Sequence, residues 1–309
     1  MRRAVKTVAE RMLLHGGPAA LSRWALRERG LVLAYHNIVP EGQLIVGDES
    51  LHLPRRQFAE QLDLLLASRL RVVSLDELMD DLLDPEVTDP SPRVAITFDD
   101  AYRGAVEAGV EELVRRDLPA TIFVVPGLVG GQTFWWDAIS ASAAGLKRRT
   151  RDAAIEVARG RNEEVIAWAR RQGVTVGTVP EHARSADEKE LHAAAAHEGI
   201  RMASHTWSHP NLARLSEVEC RSEFVHAADW LKKRFGDDPR WLSYPYGLHG
   251  EAAEQAAAAT DHRGAFRIEG GWLPSSLARL DVFRLPRLNV PAGLSPEGFS
   301  LRIAGLLCG

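Results

Sequence analysis

A chain of 309 residues, 45% of them apolar, can bury one sizeable core, and an α/β barrel of roughly 250 residues plus an insertion accounts for nearly all of it. The formal net charge of -4 excludes the overall basic field that duplex nucleic acid demands. The two cysteines, Cys220 and Cys308, lack C-x-x-C spacing, so neither a disulfide framework nor a thiolate metal site is indicated, and a reducing compartment suits the chain.

Arg2, Arg3 and Lys6 open the chain, but Glu10, Arg11 and His15 interrupt the apolar residues around them. An export signal needs an unbroken apolar core of about 7–15 residues, which is missing. Residues 1–29 are therefore expected to form a partly basic helical segment ahead of a main domain over 30–309. No apolar run reaches the roughly 20 residues that cross a bilayer. The expectation is a cytoplasmic protein without a transmembrane segment, peripheral contact with the inner face of the membrane being left open. Oligomeric state is not legible.

From Leu31 onward short apolar runs alternate with helical spacings, the mark of βα units around a mainly parallel sheet. Strands are predicted over 31–35, 71–74, 94–98, 121–125, 200–204 and 241–244. Phe58, Leu62, Leu65 and Leu66 fall at i, i+4, i+7 and i+8, and Val106, Val110, Leu113 and Val114 repeat that spacing, which predicts two helices. Prolines and carboxylates make 84–92 a loop, and 270–280 reads as another. Between them, 138–199 turns to Ala, Arg and Glu without a good strand, and a helical insertion is expected there.

Three strand ends carry chemistry: VAITF runs into Asp99 and Asp100, IRMAS into His205, and WLSY into Pro245, Tyr246 and Gly247. In an α/β barrel the carboxyl ends of parallel strands converge on the ligand-binding face. Adjacent carboxylates at a strand end repel and are costly to desolvate unless a cation or a shared proton compensates; equally, an Asp at that place caps the next helix. His205 and His209 stand four apart, with Pro210 favouring a loop over a helical turn. Alone the pair reads as surface or core histidines, but with Asp100 it makes two imidazoles and a carboxylate, a set that leaves a position open on zinc or a similar divalent ion. Hydrolysis at such a centre needs a base, for which Asp99 is the candidate, and a proton donor to the leaving group, for which His36 stands at the right barrel end. A buried histidine bonded to a loop carbonyl is the competing account of His36.

The segments YHNIVP, TFDD, LPATIFV, SHTWSH and SYPYG together resemble the polysaccharide deacetylase family, carbohydrate esterase family four. The resemblance spans about 31–290 outside the insertion and implies a distorted (β/α) barrel that removes N- or O-acetyl groups from a carbohydrate. It also implies that Asp99 is the base, that Asp100, His205 and His209 are the metal ligands, and that the Tyr246 amide N–H helps stabilise the oxyanion. The metal would be Zn²⁺, with Co²⁺, Ni²⁺ or Mn²⁺ as alternatives. The chain departs from the family pattern at two points. Where many members place an arginine that steadies the base, this chain has Ser243, and Arg287, or else Arg284, is the expected replacement. No histidine comes after His262, so the acid falls to His36, as in branches with an early Tyr-His segment.

Trp135 and Trp136, with Pro245 and Tyr246, are candidates for sugar contact, although paired tryptophans are more often core residues, and His249 is equally open. The expected activity is deacetylation of N-acetylhexosamine units in a polysaccharide or its lipid-linked precursor. Rivals are a same-fold hydrolase of xylan acetyl esters or cyclic amides, and a non-catalytic carbohydrate-binding module.

Overall fold

The computed structural model describes residues 25–68, 70–83, 90–141, 146–236, 239–278 and 280–306. Most of the 1–29 segment and of the 84–92 loop lies outside them. Eight parallel strands form one curled sheet: β1 (Gly30–Tyr35), β4 (Arg71–Val72), β5 (Arg93–Phe98), β6 (Ala120–Val124), β7 (Ile200–Ser204), β8 (Trp241–Ser243), β9 (Gly264–Phe266) and β10 (Leu288–Asn289). Two further short strands, β2 (Asn37–Val39) and β3 (His52–Pro54), pair with each other beside it. The main order is β10-β1-β5-β6-β7-β8-β9, with β4 against the start of β5. Leu285 donates to the Ala265 carbonyl and accepts from Arg267 N–H, and β10 pairs with β1, so the run 285–289 links the two edges of the curl. The result is a distorted (β/α) barrel.

The strands form where the sequence is apolar on both faces, as strands covered on both sides require. In β1 and β5 every residue is buried. Leu31, Leu33, Tyr35, Ile96 and Phe98 pack in one cluster with Phe58, Leu62 and Leu65 of helix α1 (Arg55–Ala67). Val32, Ala95, Phe123, Ala203, Trp241 and Phe266 pack in a second cluster with Leu75, Leu78, Met79 and Leu82 of helix α2 (Leu75–Leu83). Period-two alternation thus sorts each strand's residues to two faces, and Thr97 and Asp99 continue the Ala95 side into the barrel mouth.

The 106–114 helix is a π-turn over Ala105–Gly109 running into α3 (Val110–Val114). The described residues of the 138–199 region carry α4 (Trp135–Ser140), α5 (Arg148–Val157), α6 (Asn162–Arg171) and α7 (Glu188–Ala195). Helices α8 (Glu217–Phe235), α9 (Glu251–Ala258) and α10 (Pro296–Ile303) complete the outer layer. Strands β2, β3, β9 and β10, two or three residues each, are too short to leave a periodic signal in the sequence.

Candidate metal centre and its cavity

The carboxyl ends of β1, β5, β7 and β8 open into one cavity of about 280 Å³. Its wall includes His36, Asp99, Asp100, His205, His209 and Tyr246, residues up to 210 positions apart in sequence. Neither carboxylate caps the following helical segment, whose N-cap is Gly104 without a side-chain bond.

Asp99 meets Arg287. The guanidinium is fully buried and uses all five of its N–H donors: Nη1 to Asp99 Oδ1 at 2.8 Å and Thr97 Oγ1 at 3.2 Å, Nη2 to Asp99 Oδ2 and Ser243 Oγ at 2.7 Å each, and Nε to the Arg267 carbonyl at 3.2 Å. It also lies over the Phe123 ring, 5.3 Å from the centroid. Ser243 in turn donates to Asp99 Oδ2 at 3.3 Å. Burial alone would lift the Asp99 carboxyl, but Arg287 holds it well below the usual carboxylate range. Arg284 is elsewhere, paired with Glu254 at 2.6 Å.

Asp100, next along the chain, is pushed up to about 6 by burial. Its Oδ1 lies 3.5 Å from His205 Nε2 and 3.3 Å from His209 Nε2 and has no hydrogen-bond donor of its own. Burial lowers both histidines, His209 to about 3, so these are contacts between neutral rings and a carboxyl rather than ion pairs. His205 Nδ1 lies 2.8 Å from the Ser243 carbonyl, which can only accept; the proton is therefore on Nδ1 and the lone pair of Nε2 faces Asp100. Ligands around zinc at about 2.0–2.2 Å stand roughly 3.4 Å apart in a tetrahedron, which the two Asp100–imidazole separations match, and the ligand atoms of all three residues lie within 4.8 Å of one another. The orphaned buried oxygen, the neutral imidazoles and that spacing fit a divalent cation, with a fourth position toward the cavity.

Local backbone strain concentrates on this centre. Among the described residues eight non-glycine residues have positive φ, and Asp100, Ala101, Thr206, His209 and Tyr246 are five of them. Such conformations cost on the order of 1 kcal/mol or more each and persist where the surroundings enforce them. His209 N–H is fixed by Thr206 Oγ1 at 3.1 Å. Pro245–Gly247 form a tight turn with Tyr246 at φ 59°, and its amide N–H has no acceptor among the described residues. The partly buried His36 lines the same cavity, and among the described residues its side chain has no hydrogen-bond partner.

The paired tryptophans are buried wall residues with their polar edges engaged. Trp135 Nε1 donates to Tyr246 Oη at 2.8 Å and the Gly160 carbonyl at 3.1 Å, and Tyr246 Oη donates to the same carbonyl at 2.7 Å. Trp136 stacks on Phe134 and stands 5.1 Å from the His209 ring. His249 lies outside the cavity, stacked on Tyr244 and bonded to Glu254.

A buried polar network behind this wall was barely legible in the sequence. Asp137, fully buried, accepts from His52 Nε2 at 2.9 Å, Tyr102 Oη at 2.6 Å and Asp48 N–H at 2.8 Å. Tyr102 Oη accepts from Trp136 Nε1 at 2.7 Å. The Asn37 amide donates to Nδ1 of both His52 and His182, at 2.8 and 3.1 Å, a tautomer assignment that holds because the opposite nitrogens face the Asp137 carboxylate and the Leu44 carbonyl. The one clue available was Asp137 directly after two tryptophans.

Residues 86–265, more than half the chain, match the sequence profile described as Polysaccharide deacetylase. A stretch of 52 residues is 38% identical to the peptidoglycan-N-acetylglucosamine deacetylase of Bacillus cereus, covering 17% of this chain and 19% of that relative's length. Among solved structures, the Streptococcus pyogenes deacetylase PplD in complex with acetate superposes with a TM-score of 0.63 at 18% identity, over 89% of this chain and 98% of that one. IcaB from Ammonifex degensii gives 0.62 at 19% identity, over 90% and 96%. At those identities the two structures show the fold alone, and it is the same curled barrel. By its sequence profile, this chain belongs to the polysaccharide deacetylase family.

Proposed function

We propose that the protein is a metal-dependent hydrolase that removes the acetyl group from N-acetylhexosamine units of a polysaccharide or its lipid-linked precursor. The observation that carries the reading is one cavity holding an Asp100 whose Oδ1 has no hydrogen-bond donor, two neutral imidazoles beside it and an arginine-clamped Asp99. Asp100, His205 and His209 would hold the cation, which when bound supplies Lewis-acid polarisation of the acetyl carbonyl and a lowered pKa for water. Asp99, kept ionised by Arg287 and facing the cavity, would take the proton of the attacking water. The Tyr246 N–H, unused by the described residues, donates to the developing oxyanion. His36 returns a proton to the leaving amine. Trp136, beside His209, offers apolar wall on which a sugar's C–H face packs, with the wholly buried Trp135 behind it.

Family membership supports the reading. Among the described residues no helix is long and apolar enough to cross a membrane. Action at the cytoplasmic face of the membrane, on a lipid-linked precursor, belongs to the same proposal, and cell fractionation that finds the protein beyond the outer side of that membrane would remove that part of it. The test of the activity is acetate release from N-acetylglucosamine oligomers, acetylated xylan and cyclic imides after loading with Zn²⁺, Co²⁺, Ni²⁺ or Mn²⁺. Release from the amino-sugar oligomer, abolished by chelation and by Asp100→Ala with loss of bound metal, is expected. No release from that substrate with any of the four ions would overturn the reading.

A further inference from the structure

One wall of the cavity has no part in the chemistry above. Arg151, in the first turn of α5, lines it beside His209, Trp136 and Tyr246. Its one charged partner among the described residues is Asp48, whose Oδ2 stands 3.8 Å from Nη1, an ion pair too long for a hydrogen bond, so the N–H donors of the guanidinium have no acceptor there. The contrast with Arg287, whose five donors are all satisfied, is direct.

Arg151 also stands in a cationic lip. Lys147, Arg148 and Arg149 precede it, all exposed, in a chain whose formal net charge is -4. Asp152 is 3.9 Å from Arg148, and the first turn of the helix holds no acidic residue. Helix stability does not explain this arrangement, because cations at a helix N-terminus oppose the aligned peptide dipoles. Recognition of an anion does. A guanidinium presents a planar fork that meets carboxylate or phosphate oxygens in two parallel hydrogen bonds. At about 280 Å³ the cavity is at the small end for a ligand site, so a group attached to the reacting sugar would lie at the rim, where Arg151 is.

We propose that Arg151 is a specificity-determining residue that binds an anionic oxygen group, carboxylate or phosphate, carried by the N-acetylated sugar or by the unit attached to it. This rests on the deacetylation reading, since it assumes that the acetamido sugar occupies the cavity. The helical insertion thereby acquires a role: it brings the charge that selects the substrate to a centre built by the barrel strands.

Calorimetric titration of the full chain tests this with three probes: N-acetylglucosamine 1-phosphate, a disaccharide of N-acetylglucosamine and glucuronic acid, and neutral di-N-acetylchitobiose. The unsubstituted protein should bind at least one anionic probe ten or more times tighter than chitobiose at low salt, and the probe preferred distinguishes phosphate from carboxylate. In Arg151→Ala that ratio should fall to near one, and Arg151→Lys should keep part of it. Equal affinity for all three probes, or a ratio that survives Arg151→Ala in protein whose thermal unfolding is unchanged, would overturn the assignment. A protein that keeps the anion preference yet releases acetate from none of the sugars would instead sink the deacetylation reading and leave the anion site standing.

Discussion

Arg287 and Asp99 bury a cation and an anion together, and such a pair is far easier to build than to halve. Removing Arg287 leaves a carboxylate that is almost wholly inaccessible to water without its counter-charge, so Arg287→Ala should lower stability by about 3–5 kcal/mol in urea denaturation. Arg287→Lys should fall between, because an ammonium keeps the charge but cannot span both Asp99 oxygens. Unchanged denaturation midpoints would show that Asp99 is neutral in the folded protein. His36 is different in kind, since its side chain makes no hydrogen bond to the described residues and lines the cavity. His36→Ala should therefore leave stability nearly unaltered while lowering kcat by about 10²–10⁴-fold, the ordinary contribution of a general acid, with a smaller change in KM. A variant that keeps full kcat would remove His36 from the mechanism. At this scale the sequence was informative where chemistry abuts a strand end, as with Asp99, Asp100 and His205. It left open which arginine meets Asp99, because Arg284 and Arg287 differ only in where the loop before β10 points them.

The insertion is wired into the site at several points. The Gly160 carbonyl accepts from both Trp135 and Tyr246, and a Cβ at Gly160 would come within 2.6 Å of the Tyr246 ring, at a φ of +69° that favours glycine. Arg159 and Ile155 carbonyls accept from Asn211, just past His209, while Glu223 of α8 accepts from Ser208 N–H and Oγ. The loop bearing His209 is thus clamped from two sides. Behind Trp136, Asp137 joins α4 to β3 and to the segment before it. Asp137→Asn places an amide where three donors converge, so it should cost about 1–3 kcal/mol in denaturant unfolding, and activity should fall as Trp136 loses its tether beside His209. Stability and turnover equal to the unsubstituted protein would show the network to be incidental. How 138–199 braces the site was not legible in its composition, because most of those contacts join residues more than fifty positions apart.

Taken whole, the protein buries several histidines in neutral form, and this sets its response to acid. His262 is the clearest case: Nε2 has no partner, Nδ1 bonds Thr260 Oγ1 at 2.8 Å, and burial brings its pKa down to about 4. A group whose folded pKa lies below its unfolded value of about 6.5 contributes stability above that value, which is lost as pH falls toward the folded pKa. Between pH 7 and pH 5 this residue alone should remove about 2 kcal/mol, so His262→Gln should show a shallower loss in urea unfolding at the two pH values. Parallel losses would mean that His262 is protonated without penalty. The barrel itself was largely readable: apolar runs bounded by turn signals placed β1, β5, β6, β7 and β8, because strand formation and the period-two burial that drives it are encoded within a few neighbouring residues. So were the acidic and imidazole strand ends, whose chemistry is local to the chain. What only the tertiary structure decided is which groups meet: that Arg287 crosses the barrel to Asp99, that Ser243 joins them, and that an insertion helix brings Arg151 to the cavity wall. Pairing of charges and closure of the short edge strands depend on distances across a folded barrel, and no spacing along the chain carries that information.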